Sequence, residues 1–272
     1  MKGVRLSRPE DLGALKEIWN ASFPGDEAFA DWFLKTSYRP DNALVWTDGE
    51  SPAAMLHLIP MHLRIEGRDV RAAYVYAVAT LPRHRGQGIA AALLEEAEAL
   101  EKARGTALLM LVPQSESLFE YYRRLGFQDA FFRTRRAIEP GAAAIPAGLA
   151  LDEDPDAREL NACFESALDG RDHVMRTMGH WAKSLSYLKA LGVRRDGRMT
   201  GYAVYDPEGT VSELIALDRE SRMALEAGAL PRMGVKEATA FGPDGPGEPY
   251  GMARAIAPGA EPRNGYAGLM LD

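Results

Sequence analysis

The sequence predicts an α/β (α+β) fold with a central mixed, mostly antiparallel sheet, laid out in the first half of the chain and echoed in the second. Three observations carry this expectation. Ala73-Tyr74-Val75-Tyr76-Ala77-Val78-Ala79 is rich in Tyr and Val and reads as a buried strand. It leads through the turn Arg85-Gly86-Gln87-Gly88-Ile89-Ala90 into a helix, where Ile89, Leu93, Leu94, Ala97 and Leu100 recur at helical spacing opposite Glu95, Glu96, Glu98 and Glu101. Around this unit, strands and helices follow one another in an order that returns later in the chain.

Residues 4–6 read as a short strand. Pro9-Glu10-Asp11 then opens a helix whose apolar face is Leu12, Leu15, Ile18 and Trp19. A second helical piece, from around Ala28 to Thr36, carries Phe29, Trp32 and Phe33. Ala43-Leu44-Val45-Trp46 is a strand, Asp48-Gly49-Glu50-Ser51-Pro52 a turn, and Ala53 to Ile65 a long strand. Glu66-Gly67-Arg68-Asp69 returns the chain into the strand ending at Thr80. After the loop and its helix comes the strand Ala107 to Val112. A short helix follows, with Ser117 as N-cap, Leu118, Tyr122 and Leu125 on one face, and Gly126 as the left-handed cap.

Glu139-Pro140-Gly141-Ala142-Ala143-Ala144-Ile145-Pro146-Ala147-Gly148 reads as a linker of small residues and prolines. The expected organisation is a first domain over 1–138, a linker over 139–149 and a second domain over 150–272. In the second half, helices at Ala157 to Leu168 and around His180 to Leu188 precede a hairpin from Val193 to Tyr205, its turn near Asp196-Gly197. Val211 to Leu217 is a further strand and Ser221 to Leu230 a helix. Strands near Ala238-Thr239-Ala240-Phe241 and from Tyr266 to Leu271 complete the expectation.

The strand, turn and helix around Gly86 and Gly88 resemble the pyrophosphate loop of the GNAT superfamily of acyl-CoA-dependent N-acetyltransferases. The family pattern [Gln/Arg]-x-x-Gly-x-[Gly/Ala] is filled by Arg85, Gly88 and Ala90, and also two residues earlier by Arg83, Gly86 and Gly88. Pro82 favours the later register. The Rossmann alternative, Gly-x-Gly-x-x-Gly, fails because residue 91 is Ala, which counts against a nicotinamide-dependent oxidoreductase. Tyr122-Arg123-Arg124-Leu125-Gly126-Phe127 resembles the Tyr-x-x-x-Gly-Phe ending of a later helix in the same superfamily, in the matching order. Together these likenesses cover about residues 1 to 135.

The second half shows no such loop: Leu217-Asp218-Arg219-Glu220-Ser221-Arg222 has no glycine, and it sets negative charge where a pyrophosphate would sit. The chain therefore resembles a GNAT domain followed by a degenerate GNAT-like domain, an arrangement similar to the front of the enhanced-intracellular-survival class of bacterial acetyltransferases. That class carries a further sterol-carrier-like domain, for which 272 residues are expected to be too short.

Composition is that of a globular protein, 46% hydrophobic and 26% charged. A net charge of −7 gives no basic face for nucleic acid and favours a cationic acceptor. The single Cys163 excludes an internal disulfide and a cysteine metal site, and its place beside Leu160 and Phe164 suits a buried apolar residue. No apolar run suggests a secretory signal or a membrane span, so a cytoplasmic location with no membrane partner is expected. No histidine and carboxylate cluster has metal-ligand spacing, so no metal is expected. A homo-oligomer is compatible with the sequence and not required by it.

Acetyl transfer to an amine needs a held acyl carrier, a base for the ammonium and a proton for the departing thiolate. The amides of Gly86, Gln87, Gly88, Ile89, Ala90 and Ala91, at the positive end of a helix, suit a pyrophosphate. By resemblance, Val78, Ala79 and Thr80 pair with the pantetheine arm, Arg85 belongs to the loop, and Ser117 and Leu118 line the carrier, acetyl-CoA serving as co-substrate. The resemblance gives Tyr122 the proton for the thiolate and makes Tyr121, turned about 100° away on a helix, the lesser candidate. No carboxylate lies between Arg71 and Thr80, where many family members place one, and Tyr74 and Tyr76 stand there instead. By likeness to the enhanced-intracellular-survival class, the α-carboxylate of Asp272 is a candidate base. His57 and His62 are further candidates, and His84 belongs to the loop. The expected function is acetyl transfer from acetyl-CoA to a primary amine of a small molecule or lysine-like acceptor. The alternative is a non-catalytic acyl-CoA-binding regulatory protein.

Overall fold

The computed structural model describes residues 2–49, 51–138, 145–206, 208–245 and 247–270. The chain forms two compact units that interleave in sequence. The first comprises Met1–Met61, Val70–Gln128 and Met252–Glu261, the second His62–Asp69, Asp129–Gly251 and Pro262–Asp272.

The elements of the first half are β1 (Gly3–Leu6), α1 (Leu12–Ser22), α2 (Glu27–Thr36), β2 (Ala43–Thr47), β3 (Pro52–Ile65), β4 (Arg68–Thr80), α3 (Ile89–Ala103), β5 (Leu108–Leu111) and α4 (Glu116–Arg124). Those of the second are β6 (Gln128–Ile138), β7 (Leu149–Asp152), α5 (Ala157–Ala167), β8 (His173–Val174), α6 (Met178–Ser184), β9 (Lys189–Arg195), β10 (Arg198–Tyr205), β11 (Thr210–Ala216), α7 (Arg219–Met233), β12 (Ala238–Gly242) and β13 (Glu248–Ala255).

In the first unit the strands lie in the order β1-β2-β3-β4-β5-β13. β1, β2 and β3 are antiparallel neighbours, β4 and β5 are parallel with α3 as the crossover, and Met252 to Ala255 of β13 pairs antiparallel with Leu111 to Leu108. The second unit repeats the scheme as β7-β9-β10-β11-β12-β6: an antiparallel meander, a parallel pair spanned by α7, then an antiparallel strand. The first unit's sheet is thus completed by β13, from the second half of the chain, and the second unit's by β6. Apart from His62–Asp69 and Pro262–Asp272, which belong to the second unit, the chain passes from the first unit to the second after Gln128 and returns at Met252. Residues 139–144 of the expected linker lie outside the described residues.

Burial explains where each unit holds. In the first, Leu15 and Ile18 of α1, Phe33 of α2, and Leu93 and Leu94 of α3 are all at most 1% exposed, as are sheet residues such as Met55 and Leu109. Leu12, expected on the apolar face of α1, is exposed at the helix start. In the second unit, α7 places Ala224, Leu225 and Ala229 against Leu191, Val193 and Ala203, and α5 places Leu160, Cys163 and Phe164 against Tyr202 and Val204. Burial pushes the Cys163 thiol up to about 12, which keeps it an inert apolar filler. Between these elements Glu213 takes a two-pronged ion pair from Arg176 at 2.5 Å, and the hydroxyls of Tyr202 and Tyr266 donate to its two oxygens at 2.6 and 2.9 Å.

The hairpin turn at Asp196-Gly197 forms as expected, both residues at positive φ. The strand expected from Tyr266 to Leu271 does not: Gly265 and Tyr266 make single bridges to Phe131 and His173, and Leu271 lies outside the described residues. The strand that forms instead is β13, which contains Pro249 and Gly251, residues of poor strand propensity that hide it from a local reading.

Candidate active site

β4 is held in register with β5 through Ala72, Ala73 and Tyr74, opposite Leu108, Leu109 and Met110, and then runs on to Thr80. Ala77 sits at φ 50°, a left-handed kink in a strand residue that turns the continuation of β4. Val78 and Thr80 are half-exposed and Ala79 is buried, so the strand enters the loop with its backbone close to the surface. Pro82 to His84 form a single 3₁₀ turn, after which Arg85 donates Nε to the Thr80 carbonyl at 3.0 Å and closes the loop on itself.

Gly86 and Gly88 both stand at positive φ, 75° and 74°, and a Cβ built at either meets no atom within 4 Å. The glycines are therefore required by backbone conformation, and the space above them is open. Gly88 caps α3 with no side-chain oxygen, and the first intrahelical bond runs from Ala92 to the Gly88 carbonyl. The amides of Ile89, Ala90 and Ala91 are thus left for another acceptor, with Arg83 and Arg85 exposed beside them.

The corresponding helix of the second unit is closed. The Asp218 side chain accepts from the Ser221 amide at 2.8 Å and from its hydroxyl at 3.1 Å, and Arg195 reaches Asp218 and Glu220 at 3.5 and 2.6 Å. A carboxylate of the chain thus caps the amides at the start of α7, where α3 has no side-chain cap.

α4 carries Tyr122 on its buried face with Phe119. Leu118, expected on that face, is 38% exposed, and Ser115 rather than Ser117 precedes the helix and accepts from Leu118 and Phe119 through its carbonyl. Ser117 lies exposed in the first turn, its hydroxyl 3.0 Å from that of Ser115. Tyr122 packs edge-on against Phe127, at 5.7 Å between centroids, and against Tyr121 at 5.3 Å. Burial raises its phenol well above the usual range, so it stays protonated through neutral pH. Gly126 caps the helix at φ 84°, and Arg254 of β13 anchors it. Arg254 donates to the carbonyls of Leu125 at 2.9 Å and Leu94 at 3.1 Å, pairs with Glu98 at 2.7 Å, and stacks on Phe127. No local signal marks Arg254, since its partners are set by β13 pairing with β5.

The family model for the acetyltransferase (GNAT) domain matches residues 3–130. That segment is a GNAT domain. No curated protein matches the chain in sequence. In fold, 94% of the chain is similar to a GCN5-related N-acetyltransferase from Anabaena variabilis, at 16% identity and a TM-score of 0.76, covering 73% of that chain. Over 93% it is similar to Eis1 from Mycobacterium abscessus, at 19% identity and 0.67, again covering 73% of that chain. Over 95% it is similar to a tandem GNAT protein from the clavulanic acid biosynthesis pathway, at 15% identity and 0.55, covering 99% of that chain. These likenesses extend to the fold, and they span both halves.

Within the GNAT domain an aromatic cluster fills the space under α1 and α2. Trp19, Phe33 and Tyr76 lie 5.2 to 5.9 Å apart between ring centroids, and His57 touches Trp19, Phe33 and Tyr38. His57 is 2% exposed, its Nε2 has no partner among the described residues, and burial pushes it down to about 3. It is a neutral core residue, too weak a base to take a proton from an ammonium. His62 lies exposed on the hairpin of β3 and β4, its Nδ1 2.7 Å from Asp69, and His84 faces Asp48 at 3.8 Å. Asp272 lies outside the described residues. Among the described residues no group of three or more His, Cys, Asp or Glu side chains could hold a metal ion, and no helix is long and apolar enough to cross a membrane.

Proposed function

We propose that the chain transfers an acetyl group from acetyl-CoA to a primary amine of a small molecule or lysine-like acceptor. The observation that carries the reading is the uncapped start of α3, with Gly86 and Gly88 at positive φ beneath open space. Backbone amides from Gly86 to Ala91 bind the pyrophosphate, each charge-assisted hydrogen bond contributing roughly 1.5–3 kcal/mol. Past its last pairing with β5, the β4 backbone at Val78, Ala79 and Thr80 lines the pantetheine arm, and a donor there polarises the thioester carbonyl. Ser117 and Leu118, both exposed at the start of α4, flank the carrier. Tyr122, kept protonated by burial, hands its proton to the departing thiolate. The half-buried ring of Tyr76, beside Trp19 and Phe33, offers an aromatic wall to the acceptor, which suits a cationic amine.

The test is release of free thiol from acetyl-CoA against a panel of diamines, aminoglycoside-like amines and lysine peptides. Amine-dependent release supports the reading. Tight acetyl-CoA binding with no turnover on any amine would favour a non-catalytic acyl-CoA-binding protein.

A further inference from the structure

In the second unit one cation meets two aromatic rings and, among the described residues, no carboxylate. Arg133, on β6, has its guanidinium 4.0 Å from the centre of the Phe241 ring and 3.8 Å from that of Tyr250. Register accounts for the first contact: Phe241 of β12 pairs with Arg135, which places it diagonally across from Arg133 on the same face. The stacking rings cover the faces of the guanidinium, so its N–H groups are presented at the edge. Arg176, Arg194, Arg195, Arg222 and Arg232 of the same unit each meet a carboxylate. Arg133 has no carboxylate or hydrogen-bond partner among the described residues.

Arg133 lines a cavity of about 330 Å³, at the lower end of the roughly 300–1,000 Å³ typical of small-molecule sites. Leu188, Leu269 and Phe241 give it apolar walls. Ser212 reaches it as the extra residue of a bulge, because Val204 pairs with Glu213 and Tyr205 with Val211. Asp206 also lines the cavity. Its Oδ1 accepts from the amides of Glu208 and Thr210 at 2.7 and 3.2 Å, which holds a negative charge in the wall.

We propose that this cavity binds a small monocarboxylate with an apolar body, its two oxygens taken by the edge of the Arg133 guanidinium. A planar carboxylate matches the fork of donors, and the apolar walls accept the body. Asp206 disfavours a second negative charge, which selects against dicarboxylates and phosphate.

The experiment is calorimetric titration of the full chain with benzoate, benzamide and inorganic phosphate. We expect one saturable benzoate site per chain, benzamide weaker by at least about 10-fold, and no phosphate binding. Arg133→Met should weaken benzoate by at least about 10-fold, and Arg133→Lys should fall between, since a point charge keeps the attraction but loses the fork. Ser212→Leu, which fills the cavity and leaves Arg133 in place, should also abolish binding. Should Arg133→Met fail to fold, Ser212→Leu and the benzamide comparison decide. Absence of benzoate binding at about 10 mM, a Kd range far weaker than a built site gives, would overturn the proposal. So would equal binding of benzamide or phosphate, or undiminished benzoate binding by the folded variants.

Discussion

Arg254 and Leu125, 129 residues apart in sequence, are joined by a hydrogen bond of 2.9 Å from the guanidinium to the carbonyl at the end of α4. The same side chain reaches Leu94 of α3 and stacks over Phe127, so one residue ties together the helix that begins at the glycine loop and the helix that carries Tyr122. Replacing it leaves two part-buried carbonyls without their charged donor. Arg254→Ala is expected to lower stability by about 2–3 kcal/mol, and Arg254→Lys to recover part of it. Denaturant unfolding gives the magnitude, and hydrogen exchange should show faster opening of the Leu125 to Phe127 amides. Wild-type stability in Arg254→Ala would mean that the anchor is dispensable.

Gly88 tests the loop. Its φ of 74° costs a non-glycine residue about 1–2 kcal/mol, while no atom within 4 Å blocks a Cβ. Gly88→Ala should therefore fold with modest loss. Gly88→Glu adds a negative charge over the amides and should weaken acetyl-CoA by at least about 100-fold, the loss of more than one charged hydrogen bond. Calorimetry of the wild type should count one acetyl-CoA per chain, because Asp218 closes the start of α7. Two equivalent sites would refute the contrast between the halves.

Tyr122→Phe keeps the ring against Phe127 and removes only the hydroxyl. Carrier affinity should hardly change, while the chemical step slows by about 10²–10⁴-fold, as for a general acid used in the transition state. Tyr121→Phe, on the neighbouring and less buried side chain, is the control and should be nearly silent. A large effect at Tyr121 with none at Tyr122 would exchange their roles.

His57 gives a pH dependence with a definite sign. Its folded pKa is pushed from 6.5 down to about 3, so below 6.5 the unfolded chain binds the proton and the folded chain does not. The neutral buried ring therefore supports the fold fully above 6.5, and this support is lost as pH falls toward 3. Between pH 7 and 4.5 the loss should be about 2.5 kcal/mol. Unfolding midpoints at the two pH values, for the wild type and for His57→Phe, measure it. The variant should lose less on acidification, and an equal fall in both would show that His57 is charged or solvated in the folded state.

The strand, loop and helix around Gly86 and Gly88 were legible because each depends on residues adjacent in sequence: strand formers, two glycines in a turn, then a 3.6-residue apolar period. Gly126 as the cap of α4 was legible for the same reason. The face of α4 was not. Leu118 and Phe119 are both apolar, and only the packing of α4 decides that Phe119 goes in and Leu118 stays out. His57 as a possible base failed similarly, since a strand histidine shows in sequence neither its burial nor the rings around it.

The sequence by itself determined the local chemistry of this protein: an amide-rich turn free for an anion in the first half, and an acidic turn in the second. Those properties follow from φ preference, side-chain absence and charge within a few residues. The tertiary structure alone decided that β13 completes the first unit's sheet and β6 the second's, that Asp218 caps its own helix, that Arg254 anchors α4, and that Arg133 lies against Phe241 and Tyr250. Pairing between strands more than a hundred residues apart depends on which exposed edges and apolar faces remain when the local elements have formed. That is a property of the assembled sheets rather than of any short stretch of chain.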